Sequence, residues 1–402
     1  MARRVEIPVV YLSGLAQGFA LVTVPAASSL LTSPRGYAFT SAEYGALFVP
    51  MVAGAIAASA AGGLLALRWG LKRLFLTGVS LDVLAMAVVA LSAAFLGRHT
   101  PSYVTLLVAM LLLGFGFGAT LTALNSLAPG FFPKRSETAL TALHTLLGAG
   151  TALAPLFVSA AVGRGWWWIP ALVAVVLLTL VIVGSTQPLL ISQPAPPASG
   201  GPFSFLRNIS GRLWAFLALV LLYGIAETLF GNWAILFLHG NRGFGVRAAG
   251  FALAAFWAMV TVGRLLIAIA SVWLAPRWFY RTLPVLLFAA FLLVPHMATP
   301  AAAIAAFGFA GLACSAFLPL SVGFAEEQFP RLAELMGGEM IAAYMVGYGI
   351  ASFAVGALVH SGAARLGNLY SDAGLLAAAM AILAFFLTKS ARQEPRAHNQ
   401  PG

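Results

Sequence analysis

Charged side chains are scarce in this chain, at 8% against roughly 25% in soluble domains, while hydrophobic residues make up 61%. That imbalance excludes a soluble domain of any size and points to an integral membrane protein. Acids are scarcer than bases, 11 against 22. The bases fall in short loops between apolar runs, so the excess reports membrane topology, and the expected partner is the lipid bilayer and not nucleic acid. The one cysteine, Cys314, lies inside an apolar run and excludes an internal disulfide and a Cys-based zinc cluster. No Walker A, HExxH or G-x-S-x-G motif occurs, which argues against an ATPase, a metalloprotease or an esterase. The expectation is therefore no enzyme, no cofactor and no metal. Gly114, Gly116 and Gly118 lack a preceding strand and read as close helix packing, not a nucleotide loop. Met336 and Met340 read as core.

Apolar runs are what the chain has in quantity. At about 20 residues per span they predict twelve helices, over 6–31, 44–67, 74–97, 103–129, 137–162, 166–184, 213–238, 248–273, 282–298, 301–325, 335–360 and 373–389. The first is too long for a signal-peptide core and reads as a transmembrane helix. Residues 185–212, with Pro188, Pro194, Pro196, Pro197 and Pro202, read as a flexible cytoplasmic linker. The expected fold is an all-α integral membrane protein with two parallel, pseudo-symmetric six-helix halves. The N-terminal bundle is 1–184, the linker 185–212 and the C-terminal bundle 213–402. With both termini in the cytoplasm, fifteen basic residues fall in inner segments and six in outer loops, and all three lysines are inside. Trp166, Trp167 and Trp168 then sit at the outer interface.

The halves echo each other. Leu65-Ala66-Leu67-Arg68-Trp69, closing the second predicted helix, returns as Leu274-Ala275-Pro276-Arg277-Trp278 at the end of the eighth. Phe132-Pro133-Lys134 with Glu137 returns as Phe329-Pro330-Arg331 with Glu334. Both echoes fall on the cytoplasmic side, which implies parallel halves related by an axis along the membrane normal.

Twelve helices, a 6 + 6 split and parallel halves resemble the major facilitator superfamily. Gly63, Arg68, Gly70 and Lys72 match that superfamily's loop 2–3 signature, Gly-x-x-x-Asp-Arg-x-Gly-Arg-Lys/Arg, while Leu67 and Leu71 depart from it. The resemblance implies that this loop helps latch the halves on the cytoplasmic side. Without the acid, Arg68 and Lys72 are expected to seek Glu326, Glu327 or Glu334, unless these charges only set topology. From Gly114 to Pro155 the chain is similar to the fucose-permease-like sugar:proton symporters, through Asn125, the Phe-Pro-basic turn, His144, Gly148, Gly150 and Pro155. Fucose permease carries acids on helices 1 and 4. Here helix 1 offers Gln17, and Leu121 precedes Asn125 by four residues.

Glu227 then becomes the main candidate for proton coupling. It lies about halfway along the seventh predicted helix, where a lone carboxylate costs roughly 2.5–3.5 kcal/mol on insertion scales. Tyr223 and Gly231 share its face. His144 is a second candidate, as substrate ligand, proton acceptor or helix bridge. Candidate substrate ligands are Gln17, Asn125, Tyr223, Asn232, Trp233, Trp257, Arg264 and Ser315, polar groups and ring faces suited to a small sugar-like solute. Arg264 is a stretched partner for Glu227, with Asp82 competing. The expected function is a monomeric secondary active transporter of the plasma membrane, coupling a small organic solute to protons by alternating access. The alternative is a proton-driven exporter of multiple drugs or amphipathic compounds. A receptor or lipid-handling protein on the same scaffold is a third class.

Overall fold

The computed structural model describes residues 3–162, 165–189 and 210–389. Most of the expected linker lies outside them. Among the described residues, twelve apolar helices are long enough to cross a membrane: α1 Arg4–Thr32, α2 Ser41–Trp69, α3 Leu71–Phe95, α4 His99–Phe131, α5 Pro133–Ala161, α6 Trp168–Thr186, α7 Gly211–Asn232, α8 Val246–Ala270, α9 Pro276–His296, α10 Pro300–Gln328, α11 Met336–His360 and α12 Leu366–Thr388. There is no strand among the described residues.

Helix starts follow local chemistry. Thr40 and Glu43 form a capping box at α2, Ser210 caps α7 through the Leu213 amide, and Thr299 caps α10 ahead of Pro300. Pro276 opens α9 at its first turn, where a missing N–H is harmless. This corrects one sequence expectation, since Pro276-Arg277-Trp278 starts α9 instead of closing α8. The α-helical part of α7 also stops earlier than expected, at Asn232, and the chain continues as a π-helical turn over Leu236–Asn241.

Packing repeats with a six-helix offset. The pairs α1–α5, α2–α4, α3–α4 and α3–α6 recur as α7–α11, α8–α10, α9–α10 and α9–α12. The two halves meet through α5–α8 and the equivalent α11–α2. Glycines permit backbone-level approach: a Cβ at Gly114 of α4 would stand 2.1 Å from the Met51 carbonyl oxygen of α2.

One face of the bundle, the terminal face, carries the start of α1 and the end of α12; the opposite face is the far face. Close contacts between halves lie at mid-depth and toward the far face. A Cβ at Gly45 of α2 would meet the Ser352 carbonyl oxygen of α11 at 2.2 Å, and one at Gly356 would meet the Ser41 carbonyl oxygen at 2.4 Å. Between α5 and α8, Gly148 abuts the Thr261 hydroxyl. The Tyr44 hydroxyl donates to the Asn232 backbone carbonyl at 2.7 Å, and its ring stands edge-on to Trp233 at 5.2 Å. A small apolar cluster of Val52, Ala55, Phe117 and Met345 lies beneath this seal.

Among the described residues no ion pair joins Arg68 or Lys72 to Glu326 or Glu327. Arg68, Glu326 and Glu327 are exposed, and Lys72 donates to the Ser185 carbonyl at 2.8 Å within its own half. The ion pair found among the described residues is His99–Glu43, at the far face. The Glu334 side chain lies outside the described set. The close approaches between the halves, at Gly45, Gly148 and Gly356, lie away from these charges, and the exposed ones face solvent.

Candidate functional site

Glu227 occupies mid-depth of α7 and is 5% exposed. Two phenols hold it. Tyr223, one turn earlier on α7, donates to Oε1 at 2.7 Å, and Tyr344 of α11 donates to Oε2 at 2.5 Å. No cation stands within ion-pair distance of it among the described residues. Hydrogen bonds to an ionised acceptor are about twice as strong as neutral ones, so two phenols offset part of the expense of a carboxylate at this depth.

The Tyr223 hydroxyl also lies 3.0 Å from the Cys314 carbonyl oxygen. That carbonyl is at a break in α10, whose α-helical parts are Pro300–Cys314 and Phe317–Gln328. Pro319 explains the break: it has no N–H to return to the Ser315 carbonyl four residues back. Side chains take over both freed acceptors, Tyr223 at Cys314 and Arg264 Nε at the Ser315 carbonyl, 3.1 Å away. Arg264 therefore caps α10 instead of pairing with Glu227.

A phenol has one hydrogen to give. With Glu227 ionised, the Tyr223 hydrogen goes to the carboxylate and the Cys314 carbonyl loses a donor. With Glu227 protonated, the acid supplies its own hydrogen and Tyr223 is released to donate to Cys314. The arrangement can thus transmit a protonation event on α7 to the break in α10.

Toward the far face the network continues. Tyr348 donates to Asn232 Oδ1 at 3.1 Å, and Asn232 Nδ2 donates to Ser352 Oγ at 3.0 Å. Tyr344, Tyr348 and Ser352 form a ridge at one-turn spacing along α11, facing α7. Sequence reasoning missed all three, as well as Tyr44 and the Cys314 carbonyl. The i, i+4 run of polar and aromatic residues in α11 was the available signal.

The remaining expected residues separate into two groups. Asn125, His144, Trp257 and Arg264 are half-buried on α4, α5 and α8, and two polar atoms among them, Asn125 Oδ1 and Trp257 Nε1, have no protein partner. Trp257 leans on Gly231, where a Cβ would stand 3.0 Å from its ring. By contrast, Gln17 and Ser315 are fully buried. Gln17 Nε2 donates to Asp82 Oδ2 at 3.0 Å, and Ser315 Oγ returns to its own helix at the Leu312 carbonyl. Asn232 and Trp233 are buried in the far-face seal. Asp82 faces Gln17 and Thr120, so it does not compete for Arg264. Separately, an apolar groove lined by Leu15, Phe19, Phe157 and Leu172 opens on the outer flank, with no polar group in it.

Comparison with known proteins agrees with this architecture. Among solved structures, a point variant of the nucleoside transporter NupG superposes with a TM-score of 0.76 at 16% identity, covering 95% of this chain and 98% of that one. A D-xylose-proton symporter gives 0.73 at 14% identity, over 97% and 98%. A bacterial homologue of the human lysosomal transporter Spinster, inward-facing and occupied, gives 0.71 at 14% identity, over 96% and 94%. These likenesses are of fold. No curated protein sequence matches the chain. The family profile matches residues 8–309, and the chain belongs to the Major Facilitator Superfamily.

Proposed function

We propose that this transporter carries a small, neutral, hydroxyl-bearing ring solute, sugar-like in chemistry, and couples its movement to protons through Glu227. The observation that carries the reading is the placement of Glu227: a carboxylate at mid-depth, held by Tyr223 and Tyr344 and next to the broken α10. Protonation removes a charge that is unfavourable at that depth and releases Tyr223 to α10, which biases the halves between their two openings. The orphaned Trp257 N–H and Asn125 carbonyl are a donor and an acceptor for separate hydroxyls of such a solute. The half-buried rings of Tyr344 and Tyr348 offer apolar faces for a sugar. The positive-charge bias supports a cytoplasmic terminal face.

The test is transport in proteoliposomes with an imposed pH gradient, using a panel of monosaccharides, nucleosides and lipophilic cations. A sugar accumulated on a proton gradient, with accumulation lost and counterflow exchange kept in Glu227→Gln, supports the reading. Undiminished proton-driven accumulation in Glu227→Gln would sink the coupling role. Movement of lipophilic cations alone would replace the sugar by amphipathic compounds.

A further inference from the structure

We infer that Asp82 is a second proton-carrying carboxyl, separate from Glu227, which ties α1, α3 and α4 of the N-terminal half together around one bound proton. Asp82 is fully buried in α3. Both of its donors, Gln17 Nε2 of α1 and Thr120 Oγ1 of α4, reach the same oxygen, Oδ2, each at 3.0 Å. Its other oxygen, Oδ1, is buried and has no partner. The Gln17 carbonyl oxygen, also buried, has none either. The junction therefore holds two buried acceptors and is short of a donor. Buried polar groups are nearly always paired, and an unpaired one is costly, the more so if charged.

One proton on Asp82 corrects this shortage. It converts a carboxylate oxygen into a donor, and the adjacent Gln17 carbonyl is the acceptor left waiting. Acid and primary amide then face each other with a hydrogen bond in each direction, and the charge is gone. No side chain of opposite sign is available to do the same work. On α3 the basic groups are Lys72 and Arg73, at its terminal-face end. α1 carries Arg4 and Glu6 at that same end, α4 carries His99 at the far end, and α6 carries no charge. On the flanking helices, α2 has Glu43 and Arg68 at its two ends, and α5 has Lys134, Arg135 and Glu137 at its terminal-face start and His144 further along.

A metal cation in place of the proton needs room that the junction lacks. A Cβ at Gly116 of α4 would stand 2.2 Å from Asp82 Oδ1, and one at Gly78 of α3 would stand 2.5 Å from the Thr120 hydroxyl. The helices are in backbone contact here, with Asp82 lying against the glycine. Releasing the proton would leave an uncompensated carboxylate in a dry interface, so deprotonation requires that α1, α3 and α4 loosen enough to admit water. Since Gln17 belongs to the helix that leads into the far-face seal, a proton at Asp82 fixes the N-terminal half in its closed packing.

The test is infrared spectroscopy of the purified full-length protein near neutral pH, in the Glu227→Gln background so that Glu227 makes no contribution. The expected result is a carbonyl band of a protonated carboxylic acid that disappears on adding Asp82→Asn and is unchanged by sodium chloride. Gln17→Leu, which leaves Asp82 in place, is expected to shift that band to higher frequency by removing a hydrogen bond. Asparagine has the shape of aspartate and supplies the missing donor, so the Asp82→Asn protein is expected to melt no lower than its parent. A spectrum identical with and without Asp82, or a band unmoved by Gln17→Leu, overturns the inference. A band lost on adding sodium also overturns it, in favour of a cation site. None of these outcomes depends on whether Glu227 couples transport.

Discussion

The Tyr223 hydroxyl stands 2.7 Å from Glu227 and 3.0 Å from the carbonyl oxygen of Cys314, and it has a single hydrogen for the two. The competition links an ionisable group on α7 to the broken segment of α10. Tyr223→Phe keeps the ring and removes the link. A hydrogen bond to a charged group contributes about 1.5–3 kcal/mol, so proton-driven accumulation is expected to fall roughly 10- to 150-fold. Counterflow exchange, which needs no net proton movement, is expected to stay near the parent rate. Equal loss of both activities would show that Tyr223 serves binding and not coupling.

The far-face seal gives a second prediction. Gly45→Ala places a methyl group 2.2 Å from the Ser352 carbonyl oxygen, a main-chain atom that cannot swing aside. Overpacking of this kind costs about 1–3 kcal/mol, enough to shift the equilibrium toward far-face opening roughly 5- to 150-fold. Spin-label distances between the far ends of α2 and α11 are expected to lengthen. Unchanged distances would mean that the helices slide to absorb the methyl group.

Gly116→Ala addresses stability instead. The added methyl would overlap the Asp82 carboxyl in the tight α3–α4 interface. The expected loss is about 1–3 kcal/mol, read as a melting temperature several degrees lower in detergent. Gly338→Ala, at an exposed position with open space around the glycine, is the control expected to show no such drop.

Arg264 gives a fourth. Arg264→Met keeps the aliphatic stem but leaves the Ser315 carbonyl without its donor. An unsatisfied carbonyl of this kind costs about 1–3 kcal/mol. Both thermal stability and transport are expected to fall, with Arg264→Lys recovering part of each. Equal defects in the Met and Lys variants would assign the role to the planar guanidinium instead of to a single N–H donor.

Much of this was legible in the sequence, and what was not has a common cause. The length of the apolar runs placed the twelve helices, because the bilayer sets a minimum span. Glu227 was visible as a lone acid inside such a run, and Tyr223 as its neighbour one turn away. Tyr344, Tyr348 and Ser352 were not picked out, because only tertiary packing determines which face of α11 meets α7. The Cys314 carbonyl was invisible for another reason: every residue has such a group, and only the break at Pro319 frees this one. Gln17 misled for the same reason as Asp82, since a polar residue inside a span faces either a path or a partner, and in each case it was a partner. For Arg68 and Lys72 the sequence shows the charge but not the partner: Lys72 turns to the Ser185 carbonyl and Arg68 to solvent, which only tertiary packing decides.

At Gly45 and Gly356 the far-face seal brings main chain against main chain, beside the Tyr44, Asn232 and Trp233 side chains. A closure of that kind is indifferent to what the transporter carries. If the solute meets Asn125 and Trp257 as proposed, those residues can be exchanged to suit another solute without touching the seal at Gly45 and Gly356. On that reading, redesign of the cargo can start from α4 and α8 and leave the far-face contacts alone.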